Sequence, residues 1–232
     1  MPTPVVSRGT TSTRSITGIW ITRSSACSST SRLGATGAVT VNPEMIFTAV
    51  GQSRTVCPGL NGGKNWPAGA YSPLTNTMYY PLQNACMTVT AQIDRPSLSS
   101  LYGFSSRSQI APGSGEKVGA IHALSVETGR TVWKYEQRAA TTSLVATGGR
   151  LLFGGDANGR FRAFDQETGK VLWEVNLGSA VTGYPITYAS GGRQYVAVST
   201  GGSLATGGLN SLTPELRPGS SNTLFVFALP AH

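Results

Sequence analysis

Two side chains that carry oxygen atoms stand close together in one short turn of this sequence. Asp156 and Asn158 lie in the segment Gly155–Gly159, between two stretches of alternating apolar and polar residues. Carboxylate and amide oxygens are ligands that Ca²⁺ prefers, and a bound Ca²⁺ can polarise a carbonyl and activate water. The same residue types also form an ordinary Asx turn that holds no metal. The pattern therefore fits either a calcium site of a hydrolase or a structural turn.

The remaining reactive side chains are not spaced like a zinc site or a serine hydrolase. The chain has three cysteines, Cys27, Cys57 and Cys86, and two histidines, His122 and His232. No pair of these has the spacing of zinc ligands. No Gly-x-Ser-x-Gly segment and no Ser/His/Asp set is evident either, so we do not expect serine hydrolysis.

Two stretches that repeat each other predict the elements that would position any site. They are residues 119–135, GAIHALSVETGRTVWKY, and residues 159–175, GRFRAFDQETGKVLWEV. Each begins with a run of alternating apolar and polar residues and continues through a Glu-Thr-Gly turn. A second short alternating run follows and contains a tryptophan, Trp133 or Trp173. A period of about 40 residues with four short strands per unit is typical of β-propeller blades. The sequence predicts an all-β partial β-propeller of four-stranded antiparallel blades, with about two full blades plus incomplete ones.

The basic net charge does not indicate nucleic-acid binding. The chain of 232 residues has a formal net charge of +8, but only 12% of its residues are charged. The lysines and arginines are scattered, and the known helical recognition motifs are missing. No apolar stretch is long enough to span a bilayer. We therefore expect a small-molecule substrate, no nucleic acid and no membrane span.

The sequence divides into an N-terminal tail, residues 1–33, and a propeller domain, residues 34–232. The tail is rich in Ser, Thr and Arg, contains no acid, and shows no signal-peptide pattern. We expect it to be irregular, either disordered or acquired by truncation or out-of-frame reading of a longer gene. Residues 38–41 resemble the outer strand of the two repeats. Gln83–Val118 has no clear periodicity and predicts a long excursion between the second and third strands of a blade.

One segment of the domain, Cys57–Met87, resembles the pyrroloquinoline-quinone (PQQ)-dependent alcohol dehydrogenases of the methanol and ethanol type. The matching residues are Gly63-Lys64-Asn65-Trp66-Pro67, Tyr71-Ser72-Pro73, Tyr80, Pro81, Leu82 and Cys86-Met87. The family's tryptophan-docking motif, A-x-D-x-x-x-G-K-x-x-W, is matched fully by Ala163, Asp165, Gly169, Lys170 and Trp173. It is matched at Ala123, Gly129 and Trp133, with Ser125 and Arg130 substituted. The resemblance runs from about Gly34 to the C-terminus and corresponds to the last third of such an enzyme.

This resemblance implies a set of residue roles. Asn65 would help to hold the quinone, with Trp66 beside it. Trp133 and Trp173 would dock on neighbouring blades, burying the indole and donating its N–H to a backbone carbonyl. The family carries a disulfide at the pair matching Cys57 and Cys86, which would require an oxidising compartment such as the periplasm. Two buried thiols are the alternative.

The resemblance is incomplete at the catalytic centre. The family's aspartate base and calcium ligands belong to blades that precede the region matched here, and Thr141 stands where methanol-type enzymes have a pocket tryptophan. We therefore expect that the chain does not retain PQQ and does not oxidise alcohols by itself. A calcium-dependent hydrolase of the lactonase or esterase type and a non-catalytic binding module remain as alternatives.

An open propeller also predicts self-association. A propeller is stabilised because each sheet packs on two neighbours and no long strand edge stays open. A partial ring would leave apolar sheet faces in water, so we expect a homo-oligomer.

Overall fold

The computed structural model describes residues 31–33, 39–93, 103–202 and 208–228. The strands of the first half are β1 (Ser31–Leu33), β2 (Val39–Val41), β3 (Ser53–Val56), β4 (Ala70–Ser72), β5 (Thr77–Gln83), β6 (Ala85–Ala91), β7 (Phe104–Ile110), β8 (Gly119–Ser125) and β9 (Thr131–Gln137). Those of the second half are β10 (Thr141–Ala146), β11 (Leu151–Asp156), β12 (Arg160–Asp165), β13 (Val171–Asn176), β14 (Ile186–Ser190), β15 (Arg193–Ser199) and β16 (Leu224–Ala228). One 3-10 helix, Pro43–Met45, precedes β3.

Three of the sheets are blades of a β-propeller, as the repeats predict. The first blade is a four-stranded sheet in the order β4-β5-β8-β9, and the second is β10-β11-β12-β13. The third blade has three described strands in the order β14-β15-β16. Every pairing within them is antiparallel. The all-β, partial propeller architecture is therefore confirmed.

The excursion of the first blade is also confirmed, but it is more regular than its sequence indicates. It leaves after β5 and returns at β8, so it joins the second and third strands of the blade. Within it, β6 and β7 pair with each other and β6 pairs with β3, giving a separate three-stranded sheet. Hydroxyl side chains hydrogen-bond across this sheet, Ser53 with Thr90 and Thr55 with Thr88. Its polar, serine-rich strands lack the apolar alternation that would have revealed them.

The N-terminal boundary differs from the sequence expectation. Ser31–Leu33, which we placed in the irregular tail, forms β1 and pairs with β2 in a two-stranded sheet. Among the described residues β2 pairs only with β1, and a single partner strand is also what the outer strands β9 and β13 have, so the sequence expectation of an outer blade strand at residues 38–41 stays a prediction. Trp20 and Cys27 lie outside the described residues.

Apolar side chains of facing sheets fill the space between the blades. Between the first and second blades the buried core consists of Tyr79, Ile121, Ala123, Leu144, Leu152 and Phe164. Between the second and third blades it consists of Phe161, Leu177, Val181 and Val198, with Phe225 and Phe227 packed against them. Because alternate residues of a strand point to opposite faces, each blade has one face for each neighbour.

Trp133 joins the first blade to the second in the manner that the docking motif implies. Its indole Nε1 donates a hydrogen bond to the carbonyl oxygen of Gln166 at 2.9 Å. The phenol of Tyr79 donates to the same carbonyl oxygen, also at 2.9 Å. Gly169 has a φ of +70°, and a Cβ there would lie 2.5 Å from Cε3 of the Trp133 indole. Glycine at this turn therefore permits both the left-handed backbone and the close approach of the ring.

Within the described residues Trp173 shows no hydrogen bond equivalent to that of Trp133. Its side chain is 39% exposed and packs edge-on against Phe161 and Phe227. The residues that follow Ala228 would have to supply an acceptor turn like that of Gln166, and they lie outside the described residues. The docking of Trp173 therefore stays a prediction.

The two tryptophans should consequently differ in their effect on stability. Trp133→Ala removes a packed indole and its hydrogen bond and should lower the free energy of unfolding by about 3–5 kcal/mol. Trp173→Ala, at a half-exposed site, should cost about 1–2 kcal/mol. Urea denaturation of both variants followed by circular dichroism measures the difference. Equal losses in the two variants would contradict the unequal docking.

Candidate functional site

The end of the blades at which the innermost strands begin, here called the upper face, gathers the candidate site residues. It comprises residues 64–68, 138–142, 156–159 and 180–185. Ala68 is tied to the second blade, because its N–H donates to Ser143 Oγ at 3.0 Å and its carbonyl accepts from Leu144 at 2.9 Å. Asp156 pairs with Thr141 across β10 and β11. Asn65, Trp66, Asp156 and Asn158 therefore belong to segments at the same end of the blades.

The segment 64–67 is held rigidly by its own hydrogen bonds. Asn65 Oδ1 accepts from the N–H of Trp66 at 2.9 Å. Lys64 Nζ donates to the carbonyls of Asn65 at 2.6 Å and Pro67 at 2.5 Å. Burial lowers the pKa of the Lys64 ammonium, since the charged form loses water. Lys64 thus acts as a brace of the segment, a role that its sequence position alone did not reveal.

Two aromatic rings are exposed beside this segment. The side chain of Trp66 is 68% exposed. Tyr184, which precedes the innermost strand of the third blade, is also exposed, and its hydroxyl donates to the Trp66 carbonyl oxygen at 3.4 Å. Exposed aromatic faces with a polar atom nearby can stack on a planar ligand and orient it. Sequence reasoning missed Tyr184, because it placed this residue inside a strand that begins at Ile186.

Asp156 does not form a metal site of the kind that the turn allowed. Its Oδ1 accepts from the backbone N–H groups of Asn158 at 2.8 Å and Arg160 at 3.0 Å. Its Oδ2 accepts from Arg162 Nη1 at 2.7 Å, and the carboxylate is buried. This is the Asx turn that the sequence left as the alternative, reinforced by an ion pair. In the described part of the chain, no group of three His, Cys, Asp or Glu side chains is placed to hold a metal ion.

Arg162 is the centre of a partly buried ionic network between the first and second blades. Besides Asp156, it donates to Glu174 Oε2 at 2.5 Å and to Gln137 Oε1 at 3.0 Å. Its guanidinium lies over the ring of Tyr135, with 5.9 Å between Cζ and the ring centroid. Burial by itself would lower the pKa of Arg162, but the charge of Asp156 and the hydrogen bond to it raise the pKa overall. The charges of Arg162 and Asp156 therefore pair with each other where the first and second blades pack together.

Thr141, which the family resemblance aligns with a pocket tryptophan, is buried at the start of β10. Its hydroxyl accepts a hydrogen bond of 3.4 Å from Gln137 Nε2. The neighbouring Thr142 is also buried, and its Oγ1 has no hydrogen-bond partner among the described residues. The side chains buried beneath this part of the upper face are therefore small and polar.

The long loop of the third blade covers part of the upper face. Leu209 and Leu212 pack on a cluster that includes Ala85, Val118 and Ala140. Arg138 fixes this cover with hydrogen bonds to Glu215 at 2.6 and 3.2 Å and to the carbonyl of Leu212 at 2.7 Å. The loop that interrupts the third blade in sequence is therefore a bridge that reaches back to the first.

The structure contains the disulfide between Cys57 and Cys86 that the family resemblance implies. Both residues are buried, and the bond ties the segment before Asn65 to the start of β6. It therefore helps to fix the chain that carries Asn65 and Trp66. The alternative of two buried thiols is excluded by this bond.

Comparison with known proteins accounts for these features together. Residues 137–196 match the family model of the β-propeller domain of PQQ-type glucose/ethanol/alcohol dehydrogenases. The quinoprotein ethanol dehydrogenase of Pseudomonas putida is 33% identical over 187 residues, which are 78% of this chain and 29% of that protein. The chain carries part of the β-propeller of the quinoprotein alcohol dehydrogenases. The 1-butanol dehydrogenase (quinone) of Thauera butanivorans is 30% identical with the same coverage.

Solved structures agree with this assignment. A europium-containing methanol dehydrogenase superposes with a TM-score of 0.73 and 29% identity, over 84% of this chain and 38% of that one. The quinohemoprotein alcohol dehydrogenase from Comamonas testosteroni, at 22% identity and a TM-score of 0.65, shows the same fold. This quinoprotein-type propeller thus spans less than a third of the length of the P. putida relative.

The disulfide should be a measurable source of stability. Reduction should lower the free energy of unfolding by about 3–4 kcal/mol, because the bond restricts a loop of about 30 residues in the unfolded chain. A thiol assay of denatured, unreduced protein should find one reactive thiol, that of Cys27. A count of three thiols would show that the bond does not form in solution.

The ion pair of Asp156 should stabilise the fold without calcium. Asp156→Asn leaves the buried guanidinium of Arg162 with one carboxylate fewer and should cost about 3 kcal/mol. The loss should be the same with added CaCl₂ and with added EDTA, as measured by urea denaturation. Stabilisation of the parent protein by Ca²⁺ that disappears in the variant would instead restore Asp156 as a calcium ligand.

Proposed function

We propose that this chain forms one wall of a pyrroloquinoline-quinone site, with Asn65 and Trp66 as the residues that contact the cofactor. The observation that carries the proposal is the exposed indole of Trp66 beside a braced amide on the upper face, in a chain 33% identical to a quinoprotein ethanol dehydrogenase. The substrate class that follows from this role is a small alcohol.

The residues on the upper face fit one side of such a cofactor. The indole of Trp66 can stack on a planar ring system and exclude water from it. Since Oδ1 of Asn65 is already bonded to the Trp66 backbone, its Nδ2 is the group available to donate to a quinone oxygen. When bound, the quinone supplies the two-electron redox chemistry of alcohol oxidation.

We propose further that the chain does not oxidise alcohols by itself. The carboxylate of Asp156 is paired with Arg162 and is not placed to act as a general base. The hydrolase hypothesis depended on Asp156 and Asn158 as calcium ligands, and no observation favours it. A binding module without catalysis differs from our proposal only in lacking affinity for the quinone.

The cellular setting that we propose is the periplasm, with the chain present as a homo-oligomer. Support for an oxidising compartment comes from the disulfide between Cys57 and Cys86. No helix in the described ranges has both the length and the apolar character needed to cross a membrane. Support for self-association comes from the exposed apolar residues of the third blade, Ile186, Tyr188, Leu224 and Val226.

Quinone binding can be tested with PQQ and CaCl₂ added to the purified full chain. We expect quenching of tryptophan fluorescence, with an affinity about tenfold lower in Trp66→Ala and in Asn65→Ala, because each loses one contact. Tyr71→Ala removes an exposed aromatic side chain outside the upper face and should leave the affinity unchanged.

The same samples test catalysis. Alcohol-dependent reduction of a dye acceptor should not exceed the rate seen with PQQ and CaCl₂ alone. Turnover by the chain alone would contradict the proposed lack of activity. Equal affinity in Tyr71→Ala and Trp66→Ala would contradict the proposed quinone contact.

A further inference from the structure

A cavity lies against the face of the first blade that is turned away from the second blade. Its volume is about 520 Å³, which is within the range of pockets that hold small molecules. Leu82, His122 and Lys134 line it from the blade, because the residues that alternate with them in the strands pack toward the second blade. The disulfide and residues 111–114 close the cavity. We call it the blade cavity.

Most polar side chains of the blade cavity are neutral groups that both donate and accept hydrogen bonds. Apart from one lysine and one glutamate, they are two amides, two hydroxyls and an imidazole: Gln83, Asn84, Ser114, Thr131 and His122. The rest of the lining is largely apolar and includes two leucines, two prolines and the disulfide. Such a lining is complementary to several hydroxyl groups on a compact carbon skeleton, because a hydroxyl also donates and accepts.

Three of these lining groups have hydrogen-bonding capacity left for a ligand. Nδ2 of Asn84 donates to the carbonyl oxygen of Lys117 at 3.2 Å, which leaves Oδ1 as an acceptor. The hydroxyl of Ser114 donates to the carbonyl oxygen of Ala111 at 2.7 Å, which leaves the hydroxyl oxygen as an acceptor. Gln83 is 6% exposed, and its Nε2 is a buried donor without a partner among the described residues. A ligand oxygen that reaches this donor removes the cost of leaving it unpaired.

The two charged residues of the blade cavity select against a charged ligand. Nζ of Lys134 lies 2.6 Å from Oε1 of Glu136, so the ammonium and the carboxylate compensate each other. An anionic ligand would have to compete with Glu136 for the ammonium, and a cationic ligand would have to compete with Lys134 for the carboxylate. A neutral hydroxyl group can accept from the ammonium or donate to the carboxylate while the ion pair stays formed.

We propose that the blade cavity binds a small neutral polyol, such as a sugar alcohol. Its hydroxyl groups bond to the amides, hydroxyls and ion pair of the lining, and its C–H surface packs on the leucines and the disulfide. Neither Asn65 nor Trp66 lines this cavity. The site is therefore separate from the proposed quinone contact and does not depend on it.

Four probes test the ligand class on the purified full chain by saturation-transfer NMR titration. Sorbitol, gluconate and glucamine share one carbon skeleton and are neutral, anionic and cationic, respectively. Triethylene glycol dimethyl ether offers oxygen acceptors but no donor. We expect sorbitol to bind with a millimolar Kd and gluconate and glucamine to bind about fivefold more weakly, because each must compete with an existing ion pair. The ether should not bind detectably.

Variants of the ion pair should change which probe is preferred. Glu136→Gln leaves the ammonium of Lys134 without its carboxylate, so gluconate should then bind about fivefold more tightly than sorbitol. Lys134→Met leaves the carboxylate of Glu136 without its ammonium, so glucamine should become the preferred probe. Glu127→Gln removes an exposed carboxylate on the outer turn of the first blade and should keep the preference for sorbitol.

A second pair of variants tests the location. Thr131→Trp, at an exposed position that lines the cavity, should fill it and abolish sorbitol binding. Leu172→Trp, at an exposed position of β13, should leave binding unchanged, and circular dichroism verifies that both variants are folded.

Four results would overturn the proposal. A parent protein that binds no sorbitol at about 100 mM would refute the site. Unchanged sorbitol affinity in Thr131→Trp would place the binding elsewhere. Equal affinity for sorbitol and the ether would show that the cavity takes any small molecule that fits. Preference of the parent for gluconate or glucamine would refute the selection of a neutral ligand by the ion pair.

Discussion

Two hydrogen bonds to the carbonyl oxygen of Gln166 hold the first two blades in register. Trp133 and Tyr79 both donate to this oxygen, and both come from the preceding blade. Gln166 is itself fixed from within, because its side-chain amide donates to the carbonyls of Thr147 and Leu151. The outer turn of the second blade is thus rigid before the indole docks on it. A hydrogen bond between such prearranged and largely buried partners is not exchanged for water and therefore orients the sheets.

The ionic network around Arg162 completes this interface nearer the upper face. Next to the apolar core between the blades lies the buried ion pair of Arg162 and Asp156. The guanidinium of Arg162 also lies over the ring of Tyr135. A buried pair of this kind adds little net stability over apolar packing but imposes one geometry, since any shift leaves a charge unpaired. The cost to function is that Asp156 and Arg162 are no longer available to a ligand. The upper face is left with aromatic and amide groups at Asn65, Trp66 and Tyr184.

The segment that we propose as the quinone wall is supported independently of the Arg162 network. The segment that would touch the quinone is braced by Lys64, by a disulfide and by contacts to Ser143 and Leu144. Those supports lie within the described blades. Asp156 and Arg162, two charged residues of the second blade, pair with each other where the first and second blades pack.

The sequence by itself determined the blades and the residues in their turns. Alternation in residues 159–175 and the glycine at position 169 predict a hairpin with a left-handed turn, because these are local backbone requirements. The segment around Asn65 and Trp66 was singled out by its resemblance to the quinoprotein family. Local patterns carry such information whatever surrounds them.

Tertiary structure alone decided which of these residues are paired or exposed. Trp133 and Trp173 stand in matching motifs, yet only Trp133 meets an acceptor carbonyl in the described structure, since docking depends on the next blade. Asp156 has the residue type of a calcium ligand, but its carboxylate accepts a hydrogen bond from the guanidinium of Arg162, six residues later in the chain. The strands β6 and β7 were not evident because they lack a regular apolar alternation, and only the fold shows that hydroxyl side chains of β6 pair with those of β3. In each case the deciding contact lies in another strand, and its identity depends on register that a single strand cannot specify.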